Sequence, residues 1–361
     1  MMTAKELHEK ILVLDSHCDT PIFLRRKGVD IGQRLQTGHV DLVRMKEGGV
    51  DASFFAIYVS NNWEPFECTF KALEAFASVY DMLDKNPDKV ALATDAKTAR
   101  ALKQQGKIAI FLGMENAGPI HKDLSLLRLF HRMGVRYITL THAGNNKVCD
   151  SSATKEKRWN GVSPFGRELI AEMNRLGVLV DVAHISDQAF YDVLKYSTRP
   201  VVSTHSCCRA LCDVPRNLTD QMIVDLAAKG GVLQITFYPS FLDKEYSLAA
   251  SPLLDAYEEA QELYDKDPVA HEERFKQAEK ALYELPRPSY KRVVDHIDHV
   301  VKLVGPDHVG IGSDFDGIDV CPEGLEDVSY VPAITEELYN RGYSPQDIEK
   351  IMGGNFLRLL P

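Results

Sequence analysis

At 361 residues the chain is long enough for one large domain or two ordinary ones. A composition of 45% hydrophobic and 26% charged residues is that of a folded globular protein and excludes a disordered or low-complexity design. The formal net charge of −10 argues against a general nucleic-acid binder, which needs a basic face. No apolar run approaches the roughly 18 residues that a membrane span requires.

The start, MMTAKELHEK and then ILVLD, lacks the small-residue cleavage site of a secretory signal, and the end, NFLRLLP, carries no lipidation motif or anchor tail. Cysteine is odd in number and scattered, which fits reduced thiols and an expected cytoplasmic location. The cluster Cys207, Cys208 and Cys212 lacks zinc-site spacing. Asn217-Leu218-Thr219 matches a glycosylation pattern and, without a secretory route, is read as chance.

Along the chain, short apolar or β-branched runs alternate with helical patterns. The runs are 11–19, 51–59, 107–115, 136–142, 177–184, 199–205, 231–238 and 308–315. Most are continuously apolar in their first half, as expected for parallel strands buried on both faces. The intervening segments carry helix signals: Ser163-Pro164 before a run that stops at Gly177, Ser186 and Thr219 as N-caps, and Ser344-Pro345 near the end. Eight strands each followed by helix predict an α/β fold, a (β/α)8 TIM-like barrel forming a single domain over 1–361. No Gly-rich phosphate loop supports the competing doubly wound sheet. The stretch 240–306 is too long for a connection and is expected as a helical insertion between the seventh and eighth strands, with a charged helical region at about 254–283. That region reads as a solvated helix or helix pair, or alternatively as a lid or subunit contact.

The polar residues fall at the ends of these runs: His17 and Asp19, Glu115, His142, His184, His205 and Asp314. In a parallel barrel such ends converge on one mouth, where active sites lie. His17 and Asp19, two apart, can grip one ion from the same side, while Cys18 turns to the helical layer. His184 and His205 offer imidazoles suited to zinc. Glu115 has two oxygens and could bridge a cation held by His17 and Asp19 to another held by His184 and His205. A pair of cations roughly 3.5–4 Å apart would activate a bridging water. Asp314 could take the proton from that water. Asp316, at i+2, is an equal candidate by spacing. His142 is a candidate electrophile for a carbonyl oxygen. Arg216 suits bidentate capture of a carboxylate. Tyr238, closing the seventh run, joins His142 and Arg216 as a candidate for substrate binding.

Assembled, these segments resemble the membrane dipeptidase (renal dipeptidase) family of the amidohydrolase superfamily, in the manner of a soluble bacterial-type member. The resemblance rests on Asp15-Ser16-His17-Cys18-Asp19-Thr20-Pro21, Gly113-Met114-Glu115, Leu140-Thr141-His142, Ala183-His184-Ile185-Ser186, Ser203-Thr204-His205-Ser206, Arg216-Asn217 and Gly312-Ser313-Asp314-Phe315-Asp316-Gly317. It implies two Zn2+ ions, with His17 and Asp19 on one, His184 and His205 on the other, and Glu115 between. It implies His142 for the substrate carbonyl, Arg216 for the C-terminal carboxylate, and Asp314 rather than Asp316 as acid–base. It further implies hydrolysis of dipeptides, including those with a C-terminal D-residue, by a metal-bridging hydroxide, and a homodimer. Other amidohydrolase reactions, such as β-lactam or N-acyl amino acid hydrolysis, are the enzymatic alternative. A non-catalytic metal-stabilised binding protein is the alternative from another class. The chain departs from the family at Cys18-Asp19-Thr20-Pro21, where Asn-Asp-Leu-Pro is common, and at Ser53-Phe54-Phe55, where Gln-Phe-Trp is common.

Overall fold

Strands assemble in chain order around a single sheet in the computed structural model, which describes residues 2–26 and 29–361. Among the described residues they are β1 (Leu14–Cys18), β2 (Ala52–Tyr58), β3 (Val90–Leu92), β4 (Ile108–Glu115), β5 (Val135–Thr139), β6 (Leu179–Asp181), β7 (Val202–Ser206), β8 (Val232–Ile235) and β9 (Val309–Ile311). The path is β1-β2-β4-β5-β6-β7-β8-β9, parallel throughout. The ring closes beyond the end of β9, where Cys18 bridges Phe315. Asp19 N donates to Phe315 O at 2.8 Å and Asp314 N to His17 O at 3.0 Å across the same seam. This is the expected TIM-like barrel. The short β3 was not among the eight expected runs and pairs only with β4, outside the ring.

The strands are shorter than the runs that announced them. His142 and His184 lie beyond the ends of β5 and β6, and Asp314 beyond β9, whereas His205 stays within β7. Helices begin where the capping residues indicate. Ser163 accepts from Gly166 N ahead of helix Pro164–Leu176, which stops at Gly177 with φ 75°. Ser186 and Thr219 cap helices Asp187–Tyr196 and Asp220–Ala228 in the same way. Between β8 and β9 the chain forms helices Pro239–Leu242, Lys244–Lys266, Pro268–Tyr283 and Lys291–Val304, so the charged region is a pair of helices.

Side chains alternate across the sheet. On β2, Ala52 and Phe54 point into the barrel, and Phe55 and Ile57 toward the helices. On β4, Ala109 and Phe111 are interior while Ile110, Leu112 and Met114 are exterior, which puts Gly113 and Glu115 on the interior parity. Phe54, Phe111 and Phe356 form an aromatic floor, with Phe54 4.8 Å from Phe111 and 5.1 Å from Phe356. The C-terminal Leu357, Leu359 and Leu360 join this inner core. The mouth at the opposite end is left for polar groups.

Candidate active site

β1 delivers its ligands through an irregularity. Leu14 belongs to the inner core and Cys18 to the outer one, although two-residue alternation would put both on one side. The pairing with β2 slips between Asp15 and Cys18. Such a bulge re-aims the side chains beyond it, so His17 and Asp19 turn inward and Cys18 outward. Asp15 holds the seam by accepting from His17 N at 3.2 Å, Ser313 N at 2.8 Å and Ser313 Oγ at 2.5 Å. His17 Nε2 stands 3.4 Å from Asp19, 3.6 Å from Glu115 Oε2 and 3.8 Å from Asp314. Its Nδ1 meets the Tyr137 hydroxyl at 2.7 Å.

Glu115 ends β4 with its two oxygens facing different groups. Oε2 faces His17, while Oε1 lies 3.1 Å from His184 Nε2, 3.4 Å from His205 Nε2 and 3.9 Å from His142 Nε2. The Nε2 atoms of His184 and His205 are 2.9 Å apart. Asp314 lines the same cavity as Glu115 and His142. Asp316 is spent elsewhere, accepting from His39 N at 2.6 Å and Thr20 Oγ1 at 2.8 Å. Geometry therefore separates two aspartates that spacing leaves equal.

The cluster is buried, with His17, Asp19 and Glu115 fully or almost fully shielded from solvent. Burial, with Glu115 adding to it, pushes Asp19 well above the usual carboxylate range, and burial also raises Asp314. Burial opposes charge on Glu115 too, but the facing His17 and His142 outweigh it and hold the carboxyl well below its ordinary value. Burial lowers His142, and lowers His184 and His205 strongly, which favours neutral imidazoles.

These residues fit divalent transition cations. Two buried atoms, His17 Nε2 and Asp19 Oδ1, have no hydrogen-bond partner although both belong to this cluster. Neutral imidazole and carboxylate are the donors such ions prefer, and three carboxylates crowded into a buried space need a counter-charge. Among the described residues, the groups able to share an ion are His17, Asp19 and Glu115; Glu115, His142 and His184; and His17, His205 and Asp314. Cys207, Cys208 and Cys212 are buried free thiols and belong to none of these groups.

Above the donors opens a cavity of ≈ 380 Å³. Tyr238 lines it, its phenol pushed up to about 12 by burial. Tyr58 also lines it, its ring 4.9 Å from that of His142. The insertion contributes Leu254, Tyr257 and Glu258, so part of the charged helical region forms the cavity wall. Arg216 is not part of that wall. Its guanidinium donates to Ser206 Oγ at 2.7 Å and to His205 O at 2.8 Å, and lies 5.5 Å from the ring of Phe241, which does line the cavity.

Sequence reading did not single out Tyr137, Asp181 or Thr204, although Tyr137 bonds His17 and Thr204 bonds both His205 and Asp181. The available signals were a charged residue inside an apolar strand run and a tyrosine on the interior parity of β5. Asn217 carries no accessible amide, since its side chain bonds Cys212 O, Phe241 O and Cys207 N inside the fold.

A parallel barrel whose strand ends bring histidines and carboxylates to one mouth is the architecture of a metal-dependent hydrolase. The model of the membrane dipeptidase family, peptidase family M19, matches residues 1–361, and the chain belongs to that family. Dipeptidase tcpJ of Claviceps purpurea is 34% identical, with 90% of this chain and 69% of the relative covered. The crystal structure of the probable dipeptidase PvdM from Pseudomonas aeruginosa superposes with a TM-score of 0.85 at 33% identity, covering 99% of this chain and 96% of that one. A metallopeptidase from Rhodobacter sphaeroides, solved with a phosphinate mimic of the dipeptide L-Ala-D-Ala, gives a TM-score of 0.79 at 26% identity, covering 97% and 98%. Among the described residues no helix is long and apolar enough to cross a membrane.

Proposed function

We propose that this member of the family is a binuclear zinc dipeptidase that hydrolyses the peptide bond of dipeptides, including those ending in a D-residue. The observation carrying the reading is the division of Glu115, with Oε2 3.6 Å from His17 and Oε1 3.1 and 3.4 Å from His184 and His205. In this reading His17, Asp19 and Glu115 hold one cation, and Glu115, His184 and His205 hold the other. Bound there, the two ions would supply an activated water and polarise the scissile carbonyl.

The remaining chemistry belongs to side chains. Asp314 accepts the proton of the attacking water and passes it to the leaving amine. His142, kept neutral by burial, donates to the carbonyl oxygen as charge develops there. Arg216 uses two of its five N–H groups on Ser206 and His205. The others, with the Tyr238 hydroxyl, are assigned to the substrate's C-terminal carboxylate. Anchoring that carboxylate at a fixed reach from the reacting centre selects dipeptides over longer chains. Acceptance of a D-residue draws support from the L-Ala-D-Ala mimic bound by the Rhodobacter sphaeroides relative. The same reading places the protein in the cytoplasm, consistent with seven free, buried cysteines, and takes it as a homodimer, which sedimentation would test.

A panel of L,L and L,D dipeptides, tripeptides, N-acyl amino acids and a β-lactam, run with metal analysis on the same sample, tests the proposal. The expected result is dipeptide cleavage with two zinc ions per chain. Faster turnover of the acyl amino acid or lactam would favour another amidohydrolase reaction. Full metal loading with no turnover would favour a binding protein.

A further inference from the structure

We propose that Asp181 is a positioning residue that fixes the tautomer of His205 through Thr204, so that the Nε2 lone pair of His205 is directed into the donor cluster. This inference rests on the reading of His205 as a metal ligand. Beneath the cluster, three interior side chains from neighbouring strands form a buried polar layer: Thr139 on β5, Asp181 at the end of β6 and Thr204 on β7, none of them exposed to solvent. Thr139 and Asp181 are register partners. Asp181 Oδ2 accepts from Thr139 Oγ1 at 2.5 Å and from Thr204 Oγ1 at 2.7 Å. Its Oδ1 accepts from Thr204 N at 2.9 Å and Ala183 N at 3.0 Å.

A threonine hydroxyl has one proton. With a carboxylate oxygen 2.7 Å away, that proton lies on the line to Asp181; turned elsewhere, it would leave two lone pairs facing each other in a buried site. Thr204 Oγ1 therefore has only acceptor capacity left for its other neighbour, His205 Nδ1, at 2.9 Å. The imidazole must supply the proton, so Nδ1 carries the hydrogen and Nε2 is bare. Nε2 is the atom that faces Glu115 and His184. The chain of one carboxylate, one hydroxyl and one ring is thus polarised in a single direction. Strand β6 supplies the carboxylate and also leads to His184, so one residue orders the approach to both later histidines.

The test uses the full chain with 15N-labelled histidine, stripped of metal by a chelator, and then Zn2+ titration. Wild type is expected to show the His205 proton on Nδ1. In Asp181→Asn the carboxamide can donate to Thr204, the hydroxyl proton turns to His205, and the proton is expected on Nε2. Zn2+ affinity should fall about 10–100-fold, the range for lost support behind a ligand. Should Asp181→Asn not fold, Thr204→Val removes the hydroxyl alone and Thr204→Ser keeps it. Valine is expected to lose affinity and serine to restore it. Wild-type His205 protonated on Nε2, or valine and serine variants that bind Zn2+ equally, would overturn the proposal. A wild type with the Nδ1 proton that binds no Zn2+ would uphold the tautomer lock and refute the metal reading instead.

Discussion

Gly113→Ala is a one-methyl perturbation whose consequence can be worked from the packing. A Cβ built at Gly113 would lie 2.1 Å from Tyr137 Cζ and 2.5 Å from its hydroxyl oxygen, where ordinary contact begins at 3.4 Å. The ring must move by about 1.3 Å, and it has nowhere to go. Tyr137 is fully buried, with Phe54 at 5.1 Å on its inner side. Overpacking of this kind costs about 1–3 kcal/mol. The displaced hydroxyl is the partner of His17 Nδ1 at 2.7 Å, so the ring of His17 loses its support as well. Loss of such support lowers metal affinity by about 10–100-fold. The expected outcome is a thermal midpoint several degrees lower together with weaker Zn2+ binding and reduced kcat/KM. Unfolding by calorimetry and competition titration with a chelating dye measure the two effects separately. A variant that loses stability but binds Zn2+ as tightly as wild type would refute the claim that Tyr137 orients His17.

Asp314→Asn should retain its metal content while kcat drops by at least about 100-fold, the lower range for loss of a general acid–base; full turnover would remove Asp314 from the mechanism. Arg216→Ala should raise KM for dipeptides far more than for an analogue lacking the C-terminal carboxylate, and equal losses on both would argue against the carboxylate anchor. His296 provides a stability test remote from the chemistry. Its ring is fully buried, accepts from Cys208 N at 3.0 Å and donates to Leu242 O at 2.9 Å, and burial holds it down at about 4 from an ordinary 6.5. The unfolded chain then binds a proton that the native ring refuses. The native contribution is complete above pH 6.5 and is lost as pH falls toward 4, amounting to about 3 kcal/mol. Denaturant titrations at several pH values should show this acid loss in wild type and a shallower one in His296→Gln. Parallel profiles would contradict the assignment.

The barrel was legible because its signal is repeated. Most of the buried parallel runs are apolar in their first half, and most then reach a polar residue at or near their mouth end. His17, Glu115, His184 and His205 could be found that way even though β6 stops short of His184, because the sequence pattern marks where burial ends rather than where hydrogen bonding ends. The bulge in β1 was not legible. It depends on how β1 registers against β2 and on Ser313 bonding Asp15, a contact between residues almost 300 positions apart. By spacing alone Asp316 stays tied with Asp314; the resemblance prefers Asp314, and the contacts of Asp316 with His39 and Thr20 give the physical reason. The inner layer of Thr139, Asp181 and Thr204 joins three strands, and no local pattern relates them. The wall contributed by Leu254, Tyr257 and Glu258 depends on how the insertion folds back over the mouth, which its charged composition does not encode.

The mouth also shows how the chain aims its side chains once the strands have ended. Asn116, His184, Asp314 and Asp316 all adopt positive φ, at 79°, 67°, 65° and 67°. For residues other than glycine this left-handed conformation costs about 1–2 kcal/mol each. All four lie just beyond β4, β6 or β9, so the strain is concentrated where the strands give way to the site. A residue continuing in extended geometry would carry the chain up and away from the axis, whereas a left-handed turn bends it across the opening. Aspartate and asparagine tolerate that conformation better than most, and the backbone around each is pinned. Asp314 N donates to His17 O and Gly317 N to Asp314 O at 3.1 Å. Ser152 N donates to His184 O at 2.8 Å. Asn116 is held by its own side chain, which bonds Val59 O, Asn61 and Asn146. These hydrogen bonds offset the strain locally, so the backbone keeps a conformation that brings His184 and Asp314 within reach of Glu115 and His17. Rigidity in the strands and strain at their ends are therefore parts of one device, in which the barrel fixes the origin of each side chain and the left-handed turn fixes its direction.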